Sequence, residues 1–159
     1  MASVDKSEAV ITFLQDCPTI ADNPLFFNFG NIEDGASQVS VYAEDVALDQ
    51  HFVDGSVRKR FILMLDKFKS VAYNSIVEGY TDENMDDYST VQSVLEWINE
   101  QGQADNFPDF GTDCLVEEMK CQTNSPETTA VETSQNPPIA IYRITIQIEY
   151  IDLSTRLWK

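Results

Sequence analysis

The stretch that decides the fold runs Ile139-Ala-Ile-Tyr-Arg-Ile-Thr-Ile-Gln-Ile-Glu-Tyr-Ile-Asp152. One set of alternate residues in it is apolar: Tyr142, Ile144, Ile146, Ile148 and Tyr150. The set between them is polar: Arg143, Thr145, Gln147 and Glu149. A period of two is the spacing of a β-strand. The pattern therefore predicts a strand over 139–152 with one face on a core and one polar face.

A second long strand is predicted over 57–69, and both of its faces are apolar. Its apolar residues are divided between the two faces: Phe61, Leu63 and Leu65 on one, and Ile62, Met64 and Phe68 on the other. A strand covered on both faces lies in the centre of a sheet or forms part of a subunit interface. The pattern leaves both explanations open. Shorter strands are predicted over 38–45 and 113–121.

Two helices complete the predicted fold. Residues 84–101 carry an apolar stripe at helical spacing: Tyr88, Val91, Val94, Leu95 and Ile98. Residues 4–16 predict a second helix, which Pro18 ends. Segment 122–138 is rich in Thr, Ser, Asn, Glu and Pro, which predicts a long polar loop. The resulting order, αββαββ, predicts an α+β fold: one domain over 1–159 whose antiparallel or mixed sheet has two helices packed on one face.

The net charge of −17, from 27 acidic and 10 basic residues, is the strongest signal in the composition. It argues against a nucleic-acid binder and against a protein that binds anionic membranes, since both need Lys and Arg. Half of the basic residues fall in one short segment: Arg58, Lys59, Arg60, Lys67 and Lys69. An isolated basic face on an acidic body is suited to contact an acidic partner, including another copy. The alternative is a solvated strand end.

Motifs that carry chemistry are missing from the sequence. It has no nucleophile-elbow, phosphate-loop, dinucleotide-binding or zinc-protease motif. One histidine, His51, and three scattered cysteines do not make a metal site. We therefore predict that the chain is not an enzyme and needs no cofactor. The polar start and the lack of a long apolar run predict a soluble intracellular protein with reduced cysteines.

Several stretches, in their order and spacing, resemble one family. They are Leu14-Gln-Asp-Cys-Pro18, Phe27-Asn-Phe29, Glu33-Asp-Gly35, Val53-Asp-Gly-Ser-Val-Arg-Lys-Arg-Phe61, Val94-Leu-Glu-Trp-Ile98, Phe107-Pro-Asp-Phe-Gly111 and Tyr142-Arg-Ile144. With them the chain resembles the small minor capsid proteins of phages and prophages of Gram-positive bacteria. Those proteins are encoded among the head–tail joining and tail genes and resemble tail terminators. The resemblance covers nearly the whole chain, and the stretch from Val53 to Phe61 is its most specific part.

The resemblance implies a tail-terminator-like fold and a structural role in the virion. Such a protein forms a ring, commonly a hexamer, that caps the tail tube and is later joined to the head. Its expected partners are other copies of itself, the tail tube protein and the head–tail connector or adaptor proteins. Genomic DNA would only pass through the lumen, which the acidic surface would line. The expected location is the head–tail junction of the virion, and the host cytoplasm during assembly.

The candidate site residues fall into two groups. The proposed subunit-interface residues are Asp54, Arg58, Lys59, Arg60, Ile62, Met64, Lys67, Lys69 and Trp158. The proposed residues for docking to the tube or connector are Phe107, Asp109 and Phe110. For Trp158, closing the core of its own chain is an equally good explanation. We also expect segment 122–138 to become ordered only on docking.

Two other functions stay open at this stage. A head-completion adaptor or stopper would share the location but not the role in ending the tail. An acidic DNA mimic or other inhibitor would use surface carboxylates to block a basic site. The clustered bases and the long strands fit such an inhibitor less well, and a mimic would be a monomer or dimer rather than a ring.

Overall fold

The computed structural model describes residues 5–21, 23–28, 33–71, 83–132, 138–154 and 157. Three helices and six strands follow one another along the described chain. They are α1 (Lys6–Leu14), α2 (Pro18–Ala21), β1 (Leu25–Phe27), β2 (Ser37–His51), β3 (Val57–Ser70), α3 (Glu83–Gln103), β4 (Cys114–Cys121), β5 (Glu127–Glu132) and β6 (Ile139–Asp152). The fold is mixed α+β, as the sequence predicts.

The predicted order αββαββ is incomplete, because three short elements were not anticipated. Helix α2 and strand β1 lie in a segment that its Pro and Gly residues mark as irregular. The six predicted elements are found, with shifted ends. Helix α1 is shorter than its predicted span because Asp5 caps it: the Asp5 carboxylate accepts hydrogen bonds from the backbone N–H groups of Ser7 and Glu8. Val4 lies outside the described residues.

The third short element, β5, corrects the prediction of a polar loop over 122–138. Residues 127–132 of that segment pair antiparallel with the first half of β6. The loop was predicted from polarity, but a strand at the edge of a sheet tolerates polar residues on its exposed side. Thr128 and Val131 are β-branched residues, which favour an extended chain. Residues 133–137 lie outside the described part of the chain.

The six strands form one sheet in the order β1-β2-β3-β6-β4, and β5 lies beside β6. Strand β1 is parallel to β2, and the other pairs are antiparallel, so the sheet is mixed. Strands β3 and β6 pair continuously from Val57 opposite Asp152 to Ser70 opposite Ile139. The two strands with the clearest sequence patterns are therefore the centre of the sheet.

The main core lies between one face of this sheet and the helices α1 and α3. The sheet contributes alternate residues of its two central strands: Phe61, Leu63 and Leu65 from β3, and Ile144, Ile146 and Ile148 from β6. The helices contribute Val10, Phe13 and Leu14 from α1, and Val91, Val94, Leu95 and Ile98 from α3. The prediction of two helices packed on one face is confirmed. We call the other side of the sheet the polar face; it carries Arg58, Arg60, Asp66, Arg143, Gln147 and Glu149.

The two edges of the sheet differ in how they are covered. Helix α3 crosses the β4 edge so closely that a Cβ on Gly102 would lie 2.0 Å from the backbone oxygen of Met119. The side chain of Asn99 also accepts a hydrogen bond of 2.9 Å from the backbone N–H of Cys121 on that edge. At the opposite edge, among the described residues, β1 covers β2 only as far as Val39. An edge closed by a helix cannot pair with another chain.

Candidate functional site

The predicted isolated basic face is wrong, because the bases that begin β3 are paired with acids of the same chain. The cross-strand register places Arg60 opposite Glu149, and the guanidinium Nη2 lies 3.0 Å from the carboxylate. Arg58 forms an ion pair with Glu117, an extra residue where the register of β4 shifts. These partners come from distant strands, so the sequence did not reveal them.

Lys59 points to the opposite side of β3 from Arg58 and Arg60, and it too has an acidic partner. Its ammonium donates a hydrogen bond of 2.8 Å to the carboxylate of Asp152. Burial raises the pKa of Asp152, but the hydrogen bonds from Lys59 and Ser154 outweigh that effect, so the net shift is downward. The carboxylate is thereby held in its charged form. The three clustered bases are thus neutralised within the chain, although their role in an interface stays a prediction.

The polar face continues as a network of paired side chains across the middle of the sheet. Asp66, which is buried, accepts two hydrogen bonds from the guanidinium of Arg143, at 2.8 and 3.1 Å. These hydrogen bonds raise the pKa of Arg143 further above its usual value, against a smaller downward effect of burial. Gln147 donates to Glu149 at 3.1 Å and extends the network. These contacts join the polar face into a structural network, in which the buried Nε atoms of Arg58 and Arg60 have no hydrogen-bond partner among the described residues.

The proposed interface residues Ile62 and Met64 lie on this polar face between the charged pairs. Ile62 is only 8% exposed, so its own chain covers it. Met64 is partly exposed and lies opposite Thr145. Farther along the same face, Phe68 is buried against Ala36 and Ile139 in a small second core. The second apolar face of β3 is therefore largely filled from within the chain, as the sheet-centre explanation requires.

Lys67 and Lys69 are also engaged within the chain. Lys67 is 1% exposed, and its ammonium donates to the backbone oxygen of Gly35 at 2.8 Å and to the hydroxyl of Ser37 at 3.2 Å. Burial, together with the nearby charge of Lys69, lowers the pKa of Lys67 to about 8. The ammonium of Lys69 lies 3.9 Å from the carboxylate of Asp87 on α3. A buried lysine at this position is a structural donor and is not available to another subunit.

Asp54 shapes the turn that joins β2 to β3. Its carboxylate accepts hydrogen bonds from the backbone N–H of Ser56 at 3.0 Å and from the Ser56 hydroxyl at 2.6 Å. Gly55 follows with φ of 90°, a conformation that glycine adopts without strain. The Val-Asp-Gly-Ser stretch is thus a locally determined turn, and its first residue, Val53, is 93% exposed.

An apolar surface surrounds this turn at the end of the sheet. A shallow hollow there is lined by Phe52, Val53, Asp54, Ser56, Ile151 and Leu153. Leu115 lies opposite Ile151 on the neighbouring strand, so it borders this hollow, and its side chain is exposed. We call Phe52, Val53, Leu115, Ile151 and Leu153 the apolar end. The alternation along the sequence did not reveal it, since the residues come from the β2–β3 turn, from β4 and from the end of β6.

The docking candidates Phe107, Asp109 and Phe110 divide between core and surface. Phe110 is 4% exposed, and its ring packs edge-on against Phe61 and Tyr150, so its assignment as a docking residue is wrong. Phe107 is partly buried and Asp109 is exposed. Pro108 is buried like Phe110, and only Asp109 of the stretch is exposed. Two aromatic residues in one short motif do not reveal this arrangement. Trp158 lies outside the described residues.

Phe107 and Asp109 line a groove against α1 that the sequence analysis missed. We call it the α1 groove; its volume is about 580 Å³. The rim carries four carboxylates: Asp5, Glu8, Asp16 and Asp109. The floor is formed by Ala9, Phe13, Phe107 and Pro108. The signal was present in the sequence, because residues 5, 8, 9, 12, 13 and 16 share one face of a helix.

Catalytic and metal-binding arrangements are not found in the part of the chain that is described. No group of three or more His, Cys, Asp or Glu residues there is placed to hold a metal ion. The cysteines are free thiols, and burial raises the pKa of Cys121 to about 12 and also raises that of Cys17. A thiol with a raised pKa is a poor nucleophile. Among the described helices, none is long and apolar enough to span a membrane.

The fold and these surfaces define a mixed α+β protein with a paired polar face, an apolar end and an acidic groove. No protein-family model matches the chain, and no curated protein sequence matches it.

Proposed function

We propose that this chain is a non-catalytic structural protein of a tailed-phage virion. It forms a ring, which we expect to hold six copies, at the head-proximal end of the tail. The ring ends the tail tube and joins it to the head, and its partners are the tube protein and the head–tail connector proteins. Two things support this role: the resemblance of the sequence to phage minor capsid proteins, and the surfaces of the fold.

The observation that carries the proposal is the apolar end. Val53 is almost fully exposed, and Phe52 and Leu115 are exposed beside it. Contiguous apolar surface of this kind marks a site of contact with another protein. It also coincides with the Val53–Ser56 turn, which is the most specific part of the resemblance. We therefore place the seam between neighbouring copies at the apolar end, with Asp54 shaping it, rather than at the basic residues of β3.

The paired bases support the second part of the proposal, the acidic lumen. Because Arg58, Lys59 and Arg60 are neutralised by acids of the same chain, they do not offer a basic surface to DNA. The net charge of −17 is then carried by the remaining acids. Six copies would carry roughly a hundred negative charges, which would repel DNA phosphates from the wall of the channel.

The seam is tested by measuring the mass of the natural chain and of Val53→Asp in solution, by light scattering over a range of concentrations. We expect the natural chain to form closed rings and the variant to stay a monomer of 18.0 kDa. A charge in the centre of an apolar contact weakens association by several kcal/mol. Val131→Asp is the matched control, because Val131 is an exposed valine of β5 and is not part of the apolar end. A natural chain that stays monomeric at every concentration would overturn ring formation.

A further inference from the structure

The α1 groove has the chemistry of a site for a short segment that is both cationic and apolar. Its rim places the carboxylates of Glu8, Asp16 and Asp109 around an apolar floor that includes Phe13 and Phe107. Within the described part of the chain, no ion pair involves a rim carboxylate. A partner that carries Lys or Arg beside large apolar side chains would neutralise the rim and cover the floor.

The basic residues in the described part of the chain all have partners within that part. Eight of the ten have partners in their own chain: Lys6 over the Tyr150 ring, and Arg58, Lys59, Arg60, Lys67, Lys69, Lys120 and Arg143 in hydrogen bonds or ion pairs. The other two, Arg156 and Lys159, lie outside the described residues. They enclose Leu157 and Trp158, so segment 155–159, Thr-Arg-Leu-Trp-Lys, has the two kinds of side chain that the groove would bind.

Leu157 is the one residue of this segment that the structure describes. Its backbone N–H donates to the backbone oxygen of Asp54, so Leu157 lies beside the turn at the apolar end. The side chain of Leu157 is nevertheless 73% exposed. A large apolar residue that is held in place by its backbone but not covered is available to a neighbouring molecule.

We propose that segment 155–159 of one copy occupies the α1 groove of the next copy. The inference rests on the proposed ring and names a contact that would close it. Because the segment and the groove are different surfaces of one chain, each copy offers both, and such head-to-tail contacts generate a ring when the rotation between copies closes. The contact would join the acidic bodies of two copies through the cations Arg156 and Lys159.

The contact is tested first with a peptide of residues 152–159, acetylated, amidated and labelled with fluorescein. The receptor is the full chain carrying Trp158→Ala, which vacates its groove. We expect saturable binding by fluorescence anisotropy, weakened about tenfold by Glu8→Lys with Asp16→Lys, the loss for two partly exposed ion pairs. The matched control is Glu100→Lys with Asp113→Lys, two exposed acids outside the groove, and it should bind unchanged. Equal weakening in the control overturns the assignment of the groove.

The second measurement is the mass of each full-length variant under conditions in which the natural chain assembles. Trp158→Ala and the groove variant should shift assembly to at least tenfold higher concentration, and excess peptide should dissociate natural assemblies. Assemblies that persist in both variants, with no peptide binding, overturn the contact and leave the proposed ring standing. Peptide binding by a natural chain that never assembles overturns the exchange between copies and the proposed ring together, and it assigns the segment to its own groove.

Discussion

Replacing Gly102 by alanine tests the closure of the β4 edge by α3. Alanine normally stabilises a helix relative to glycine, by up to about 1 kcal/mol. Here the new Cβ would lie 2.0 Å from the backbone oxygen of Met119, whereas ordinary C···O contacts are about 3.3 Å or longer. The helix must therefore move by about 1 Å, which loosens the packing of Leu95 and Ile98. Overpacking of this kind costs about 1–3 kcal/mol, and we expect the upper end because the obstacle is a backbone oxygen. Subtracting the helix gain of about 1 kcal/mol leaves a net loss of about 2 kcal/mol.

Urea unfolding followed by circular dichroism measures this loss as a midpoint about 1 M lower, for a slope of about 2 kcal/mol/M. The amide of Cys121 donates to Asn99 of α3, and this hydrogen bond depends on the same packing of α3 against β4 as Gly102 does. Hydrogen exchange at the Cys121 amide should therefore become faster. Gln103→Ala is the control, since Gln103 is exposed in the same helical turn and should change stability by less than about 0.5 kcal/mol. A Gly102→Ala chain as stable as the natural one would refute the close approach of α3 to β4.

Three further predictions concern buried or paired side chains, and all are read by urea unfolding. The pKa of Lys67 is lowered to about 8 in the folded chain, so the cost of burying its charge disappears as the pH rises from 8 to 10.5. Over that range, the stability of the natural chain relative to Lys67→Met should rise by up to about 3 kcal/mol. A difference that does not change with pH would contradict the burial of the charge. Arg60→Glu should lose about 1–3 kcal/mol by facing Glu149, and adding Glu149→Arg should restore at least half; no recovery would argue against the cross-strand pair. Phe110→Ala should lose about 3–5 kcal/mol and Phe107→Ala less than half as much, and the reverse order would refute their placement.

The sheet centre was predictable because its signal is local. Alternation along 139–152 and the two apolar faces of 57–69 identified β6 and β3 without knowledge of any contact. Strand β5 was missed because its pairing with β6 depends on a distant segment, and a polar composition resembles a loop. The helices were predictable from their apolar stripes. The acidic face of α1 was overlooked, because charged residues on an exposed helix face usually need no explanation.

The site was less predictable than the fold, because charge partners depend on strand register. The sequence shows that bases cluster at 58–69 but not that Arg60 lies opposite Glu149 or that Lys67 points into the core. A cluster of like charges in the sequence was therefore interpreted as a free basic face. In the fold, alternate residues of one strand point to different sides and meet different acids. The apolar end likewise gathers residues that no single segment displays.

The central claim is that this chain ends the tail tube of a phage and joins it to the head. It is tested most directly by electron microscopy of particles from a strain that lacks only the gene for this chain, with tail length as the measured quantity. The proposed function predicts tails that are overlong and not joined to heads. Headless tails of normal length would instead indicate a connector or stopper. Complete particles with tails of normal length, joined to heads, would contradict the claim.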